Sequence, residues 1–215
     1  MKFESFLELA SKIGNLPLPG RDVQLEMAPN ERLRELEELE ISTRKPRQAG
    51  VMCLFYPTPD GDTEFILILR KTYKGVHSNQ VGFPGGKVEL TDRDLAHTAL
   101  RETEEEVGVP QSHVTITRKL TNIYIPPSNF WVQSFIGHLD HTPAFIAQES
   151  EVESLIPVPL SEFLSDDCIT TQNLSTSYMD DMEVPAYKLQ GHIVWGATAM
   201  MLSEVRSLLN TSLKL

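Results

Sequence analysis

The chain has 215 residues, 40% of them hydrophobic and 23% charged, and a formal net charge of -11. That composition belongs to a globular domain with a full core, and no apolar run reaches the length of a membrane-spanning helix. The acid excess argues against a polyanion-binding surface, so nucleic acid is not an expected partner, and neither is a membrane. Two cysteines, Cys53 and Cys168, supply neither a disulfide framework nor a zinc site, which makes a reducing cytoplasm the default compartment.

The first predicted element covers residues 3 to 13. Phe3, Phe6, Leu7, Leu9, Ala10 and Ile13 form an apolar stripe at helical spacing. Glu4 and Glu8, with no small-residue cleavage site, mark it as an amphipathic helix and not a secretory signal. "NLPLPG" ends it. The charged stretch "NERLRELEELEISTRKPRQAG" reads as helix or coil against the domain, or as an arm reaching a second subunit. Residues 1–48 are therefore read as a helical arm, and 49–215 as the main domain. The arm and the apolar last helix are the candidate surfaces for a homodimer.

From Ala49 the pattern changes to strands. "AGVMCLFYP", the turn "TPDGD" and "TEFILILRKT" predict a β-hairpin. A loop leads into a short strand around Gly82 to Val88. Residues 92–107 read as a helix, with Thr91 as N-cap and Gly108 just past the end. "HVTITRKLTNIYIPPSNFWVQSFIGHL" gives two strand-like runs broken at Pro126–Pro127. "LIPVPLSEFLS" predicts a strand and a short helix, and "YKLQGHIVWGATAMMLSEVRSLL" a strand and a long helix. Strands and helices interleave without regular βαβ units, which predicts an α/β fold with a mixed sheet flanked by helices.

The stretch "ALRETEEEVGV" places Glu102, Glu104, Glu105 and Glu106 within five positions. On a helix, Glu105 falls about 60° to one side of Glu102 and Glu106 about 40° to the other. Those three carboxylates share one face, and Glu104 points away to solvent. Ala96, Ala99, Leu100, Thr103 and Val107 form the stripe expected to be buried. Like charges at this spacing destabilise a helix, and the negative end of its dipole lies nearby. Clustered carboxylates are favoured where a hard divalent cation, Mg²⁺ or Mn²⁺, takes oxygen ligands. On the glutamates alone, a solvated acidic face explains the pattern equally well.

The longer stretch "GGKVELTDRDLAHTALRETEEEVGV" resembles the Nudix box. Arg101, Glu102, Thr103, Glu105, Glu106, Gly108 and Val109 fill its second half in register, with Thr103 in place of an apolar residue. Gly86 to Arg101 is one residue longer than the usual spacing, so the upstream acid is either Glu89 or Asp92. The resemblance implies a Nudix-type α/β/α sandwich and a divalent-metal-dependent pyrophosphatase. Glu105 and Glu106 would be metal ligands, Glu102 a ligand or the base for the attacking water, and Arg101 the residue that orders them. A further glutamate from outside the box would come from Glu149, Glu151 or Glu153, with Glu151 at the head of a strand the choice.

"ILILRKTYKGVHSNQVGFPGG" resembles the signature preceding the box in the coenzyme A pyrophosphatase subfamily. Ile66, Leu67, Arg70 and Phe83-Pro84-Gly85-Gly86 match it, whereas Lys71, Gly75 and Asn79 depart. "YIPPSNF" and "WGATA" are also similar to that subfamily. The implied small-molecule substrate is coenzyme A or a thioester of it, cleaved to 4′-phosphopantetheine and adenosine 3′,5′-bisphosphate. Arg70, Lys74, Gly85, Gly86 and Lys87 are the candidate substrate-binding residues, and Lys71 could add charge. Phe130 or Trp131 could stack on adenine, and His77 could touch substrate. The alternatives are a Nudix enzyme for a nucleotide sugar, a dinucleotide or a damaged nucleoside triphosphate, and a non-catalytic ligand sensor. The sensor would be expected to have lost box carboxylates, and here all three are present.

Overall fold

A computed structural model describes residues 1–29, 44–71, 80–176 and 179–215. The charged segment at 30–43, and Lys74 and His77 in the loop before the box, lie outside the described residues.

The centre of the molecule is a long strand, β1 (Arg47–Pro57), in the apolar run that opens the main domain. The hairpin predicted from the "TPDGD" turn is present, with β2 (Thr63–Arg70) pairing antiparallel to β1 at Phe55–Phe65. Side chains alternate across the pleat. Met52, Leu54, Tyr56, Ile66 and Ile68 enter one core, and Cys53, Phe55, Phe65 and Leu67 enter the other. Both faces of the hairpin are covered, which is why its sequence is apolar almost without interruption.

Beyond Phe55 and Phe65 the two strands separate. Two short strands, β3 (Val81–Gly82) and β4 (Gly85–Lys87), fill the opening. The first pairs with β2 and the second with β1. The chain then enters helix α3 (Leu95–Val107), which packs on the β1 face carrying Met52 and Leu54. Two earlier helices, α1 (Phe3–Ile13) and α2 (Arg21–Leu25), lie on the opposite side with the last helix.

After α3 come β5 (Thr115–Lys119), β6 (Ile123–Ile125) and β7 (Phe130–His138). The predicted two runs are therefore three strands, because the chain breaks at Leu120–Asn122 as well as at the prolines. β7 lies parallel to β1 over nine residue pairs, from Arg47–Phe130 to Phe55–His138, while β5 and β6 pair antiparallel along its other edge. β8 (Val152–Pro159) closes the sheet against β2 and runs into α4 (Leu160–Leu164). A separate antiparallel sheet of β9 (Ile169–Thr176), β10 (Met179–Leu189) and β11 (His192–Trp195) leads into α5 (Gly196–Leu213). The mixed sheet with helices on both sides is the expected α/β architecture.

Two details of the helices differ from expectation. α3 starts three residues later than predicted: its N-cap is Asp94, whose side chain accepts the His97 N–H at 2.8 Å. Leu7 of α1 is 37% exposed, since the helix buries only Phe3, Phe6, Leu9, Ala10 and Ile13. The Phe6 ring stacks on Phe55 at 4.6 Å between centroids. The apolar faces of α1 and α5, both candidate dimer surfaces, pack within the chain itself. Among the described residues no helix is long and apolar enough to cross a membrane.

Candidate active site

Helix α3 carries the box glutamates, and glycines bring it close to the sheet. A Cβ on Gly50 would lie 2.3 Å from the Leu95 carbonyl oxygen and 3.0 Å from the Ala99 nitrogen. Only glycine lets the first turns of α3 rest on the backbone of β1. The helix ends at Gly108, with φ +75, whose N–H donates to the Glu104 carbonyl. Its last carbonyls are taken up by the loop that follows β7. Gln148 N–H donates to Glu106 O and Ile146 N–H to Val107 O, both at 3.0 Å. That loop turns at Gln148 and delivers Glu151 to the head of β8.

The four glutamates have four different environments. Glu106 is 1% exposed. Its carboxylate accepts the Gly85 N–H at 2.7 Å and lies 3.3 Å from Arg70 Nη1. Arg70 also donates to the Gly85 carbonyl at 2.7 Å, so one guanidinium ties Glu106 to β4. Glu102 is largely buried and lies 3.0 Å from Arg101 Nη2. Glu105 has 54% of its side chain exposed and meets Arg101 Nη1 at 3.0 Å. Glu104 is exposed and accepts from Gln111, away from the others, as its helical phase predicts. Glu106, at the other edge of the carboxylate face, reaches the buried stripe that was expected to hold only Ala96, Ala99, Leu100, Thr103 and Val107. Of these, Ala99, Thr103 and Val107 are fully buried, and Ala96 and Leu100 only partly.

Of the two candidate upstream acids, Asp92 is the one bonded to Arg101. Both its oxygens are bonded to Arg101, through Nε and Nη2 at 3.0 Å each. Thr98 Oγ1 and the Glu89 N–H add further donors, and His97 Nδ1 lies 3.0 Å away. The Arg101 bonds hold the Asp92 carboxyl far below the usual carboxylate range. Asp92 therefore fixes Arg101, while Glu89 contributes its backbone and leaves its side chain exposed.

Burial raises the Glu102 pKa; Arg101 opposes it, and the charges of Glu105 and Glu151 add to it. Burial likewise lifts Glu106 to about 7, against Arg70 and the Gly85 N–H, with Glu102 and Glu151 adding to the rise. Glu151, an exposed residue, thus contributes its charge to the same locus as the box glutamates. The donors are all carboxylate oxygens, the set a hard divalent cation selects. Gly86 leaves the room they need: a Cβ there would sit 2.5 Å from the Glu102 carboxylate. In donor chemistry and space the residues fit such a cation. Among the described residues no three His, Cys, Asp or Glu side chains are already drawn together around one point. Arg101 separates Glu102 from Glu105, and Arg70 and Gly85 hold Glu106.

A cavity of about 250 Å³ opens on the other side of the Gly85–Gly86 strand. Arg70, Gly85, Gly86 and Lys87, four of the five candidate substrate residues, line it. So do Ile125, Pro126, Pro127, Ser128 and Phe130 from "YIPPSNF", and Trp195 to Thr198 from "WGATA". Two segments far apart in sequence thus form facing walls. Phe130 is in the lining with the Arg47 guanidinium 4.2 Å from its ring centre. Trp131 instead packs on Tyr124 and is not part of the wall. Lys71 is tied by its backbone N–H to the Glu151 carbonyl and lies outside the lining. Tyr124, the first residue of "YIPPSNF", lines it as well. Sequence reasoning missed the Arg70–Glu106 pair and the wall residues Ile123, Met200 and Met201. The motifs flanking those three were the available signal.

Residues 46–172 match the NUDIX domain family. Nudix hydrolase 15, mitochondrial, of Arabidopsis thaliana is 31% identical over 170 residues, which are 76% of this chain and 59% of that protein. Nudix hydrolase 22, chloroplastic, of the same plant is 30% identical over 165 residues, 74% of this chain and 54% of that protein. The chain thus spans little more than half the length of these plant relatives. An uncharacterized Nudix hydrolase NudL of Pectobacterium atrosepticum is 31% identical over 172 residues, covering 74% of this chain and 81% of that one. Among solved structures, a MutT/nudix family protein from Enterococcus faecalis superposes with a TM-score of 0.52 at 18% identity, over 85% of this chain and 69% of the other. RenU, a Nudix hydrolase from M. smegmatis, gives 0.51 at 15% identity, over 77% and 87%. These two share the fold. With the box register, the sheet topology and the matched residues in agreement, the chain belongs to the Nudix family.

Proposed function

We propose that the protein is a divalent-metal-dependent pyrophosphatase that cleaves the diphosphate of coenzyme A or its thioesters. The observation that carries this reading is the thin partition at Gly85–Gly86. Carboxylates of Glu102 and Glu106 meet it, Arg70 ties Glu106 to Gly85, and Arg70 and Lys87 also line the cavity of about 250 Å³ beside it. Glu102, Glu105 and Glu106, joined by Glu151, would hold Mg²⁺ or Mn²⁺. The cation, when bound, supplies positive charge beside the non-bridging phosphate oxygens, where negative charge builds up as water attacks.

The chain's own residues divide the remaining work. Arg101 is fixed by Asp92 and positions Glu102 and Glu105, pairing with both. Glu102 or Glu151 takes the proton of the attacking water; Glu102 is the more buried, and that burial raises its pKa and so its basicity. Lys87, with Arg70 beside Glu106, binds the phosphates. Support for the coenzyme A reading comes from the "YIPPSNF" and "WGATA" segments meeting in one cavity. A nucleotide sugar or another nucleoside diphosphate derivative fits the carboxylates equally well, and the cavity is what favours the longer arm.

A panel of coenzyme A, acetyl-coenzyme A, ADP-ribose, nucleotide sugars and dinucleoside polyphosphates with Mg²⁺ or Mn²⁺ tests this. Coenzyme A is expected to give the highest kcat/KM, and Glu105→Gln and Glu106→Gln to lower it by roughly 100-fold or more. Rapid cleavage of a nucleotide sugar with coenzyme A inert would refute the substrate. Near-full activity in both glutamine variants would refute the metal-ligand roles.

A further inference from the structure

The chain enters β1 through a basic stretch. Arg44, Lys45 and Arg47 fall within four positions, in a protein whose 30 acids outnumber its 19 lysines and arginines. All three are exposed, and so is Lys87. Among the described residues, none of these four side chains is ion-paired to a carboxylate. Unpaired cations gathered at a cleft raise the local concentration of anions.

The pleat puts Arg47 on the cavity face of the sheet. Alternate residues of a strand share a face, so Arg47 projects with Ala49 and Val51, both in the cavity wall. Directly across the ladder on β7 stands Phe130, whose ring centre lies 4.2 Å from the Arg47 guanidinium. On β4, Lys87 pairs with Ala49 and is thus the diagonal neighbour of Arg47 on the same face. Phe130 and Lys87 both line the cavity, so Arg47 stands at its rim between an aromatic ring and a second cation. The backbone fixes it there. Its N–H donates to the Asn129 carbonyl and its Nη2 to the Ser128 carbonyl, both at 3.0 Å. That bond uses one guanidinium N–H; the others have no partner among the described residues. A guanidinium anchored at one corner and stacked on a ring is ordered in advance, and its remaining donors keep the fork geometry that matches phosphate oxygens.

We propose that Arg47 is a phosphate-binding residue of the substrate site, taking a phosphate of the substrate together with Lys87 at the cavity rim. This rests on the pyrophosphatase reading above. Two variants separate charge from packing: Arg47→Met keeps an apolar chain over Phe130 and loses the charge, and Arg47→Lys keeps the charge and loses the fork. With Mg²⁺, Arg47→Met is expected to raise KM for coenzyme A ~10-fold while kcat stays within about twofold of wild type. Arg47→Lys is expected to raise it only ~3-fold. Both should melt near the wild-type temperature, since the side chain is exposed. Coenzyme A offers this chemistry in its diphosphate and in its 3′-phosphate, and 3′-dephospho-coenzyme A tells them apart. An equal KM rise for both compounds assigns Arg47 to the diphosphate, and a rise for coenzyme A alone assigns it to the 3′-phosphate; either supports the proposal.

An unchanged KM in Arg47→Met overturns it. So does a melting temperature that falls along with affinity in both variants alike, the mark of a structural role at Phe130. If the wild-type protein does not hydrolyse coenzyme A, the substrate reading fails by itself, and calorimetric titration with coenzyme A and Mg²⁺ replaces KM. Binding ~10-fold weaker in Arg47→Met then keeps the proposal. Equal binding in the two proteins, or no binding by wild type, overturns it.

Discussion

Glu106 is the residue on which the site's electrostatics turn. It is buried against Arg70 and the Gly85 N–H, yet burial still lifts its pKa from 4.5 to about 7. A carboxyl with a raised pKa binds more protons folded than unfolded between those two values. Its contribution to unfolding free energy therefore falls as pH rises from about 4.5 to about 7, by on the order of 3 kcal/mol in all. In EDTA, urea unfolding of the wild-type protein should show that loss between pH 5 and pH 8. Glu106→Gln cannot ionise and should gain on wild type across the same interval. A stability difference independent of pH would show that Glu106 keeps an ordinary carboxylate pKa. Since a cation binds only the ionised carboxylate, added Mg²⁺ should recover stability mostly at the upper end.

At the scale of elements, two glycines set where α3 meets β1 and β4, and they are expected to fail differently. A methyl at Gly50 would run into backbone, the Leu95 carbonyl at 2.3 Å, so α3 must lift from β1. Gly50→Ala should cost roughly 2 kcal/mol or more and lower activity with it. A methyl at Gly86 meets only the end of the Glu102 side chain, which can swing away. Gly86→Ala should cost less than about 1 kcal/mol in urea unfolding but lower kcat roughly 10-fold or more, because the carboxylate is displaced. Equal losses of stability in the two variants would contradict this division. The same elements show what was legible in the sequence. The β1–β2 hairpin, α3, and the separation of Glu104 from its neighbours follow from periodicity and turn chemistry. The hairpin of β9 and β10 was missed, since "ITTQNLST" and "MDDMEVPAYKL" lack a clear apolar alternation. The Arg70–Glu106 pair was invisible for another reason. It joins residues 36 apart through a fork in the sheet that only tertiary pairing creates.

For the whole molecule, the sheet carries two cores, and the N-terminal helix closes the one remote from the glutamates. Phe6 is fully buried and stacks on Phe55, itself fully buried. Phe6→Ala should destabilise the protein by about 3–5 kcal/mol, measured by thermal or urea unfolding, while KM at a permissive temperature stays near wild type. A large change in KM would mean that α1 reaches the substrate site through the sheet.

The parallel pairing of β1 with β7 has a further consequence in the order of folding. The nine-residue ladder joins segments that start 83 positions apart, Arg47 and Phe130. α3 and both of the glycine-rich strands lie inside that loop. Closing so long a loop is entropically slow, and parallel pairing returns little until most of the ladder is made. The hairpin β1–β2 and the α3 helix can form locally and early. The cavity wall at Phe130 can take its place only when the ladder closes. A nascent chain would therefore carry a formed box helix before it had anywhere to hold a substrate, and binding competence would be among the last properties acquired.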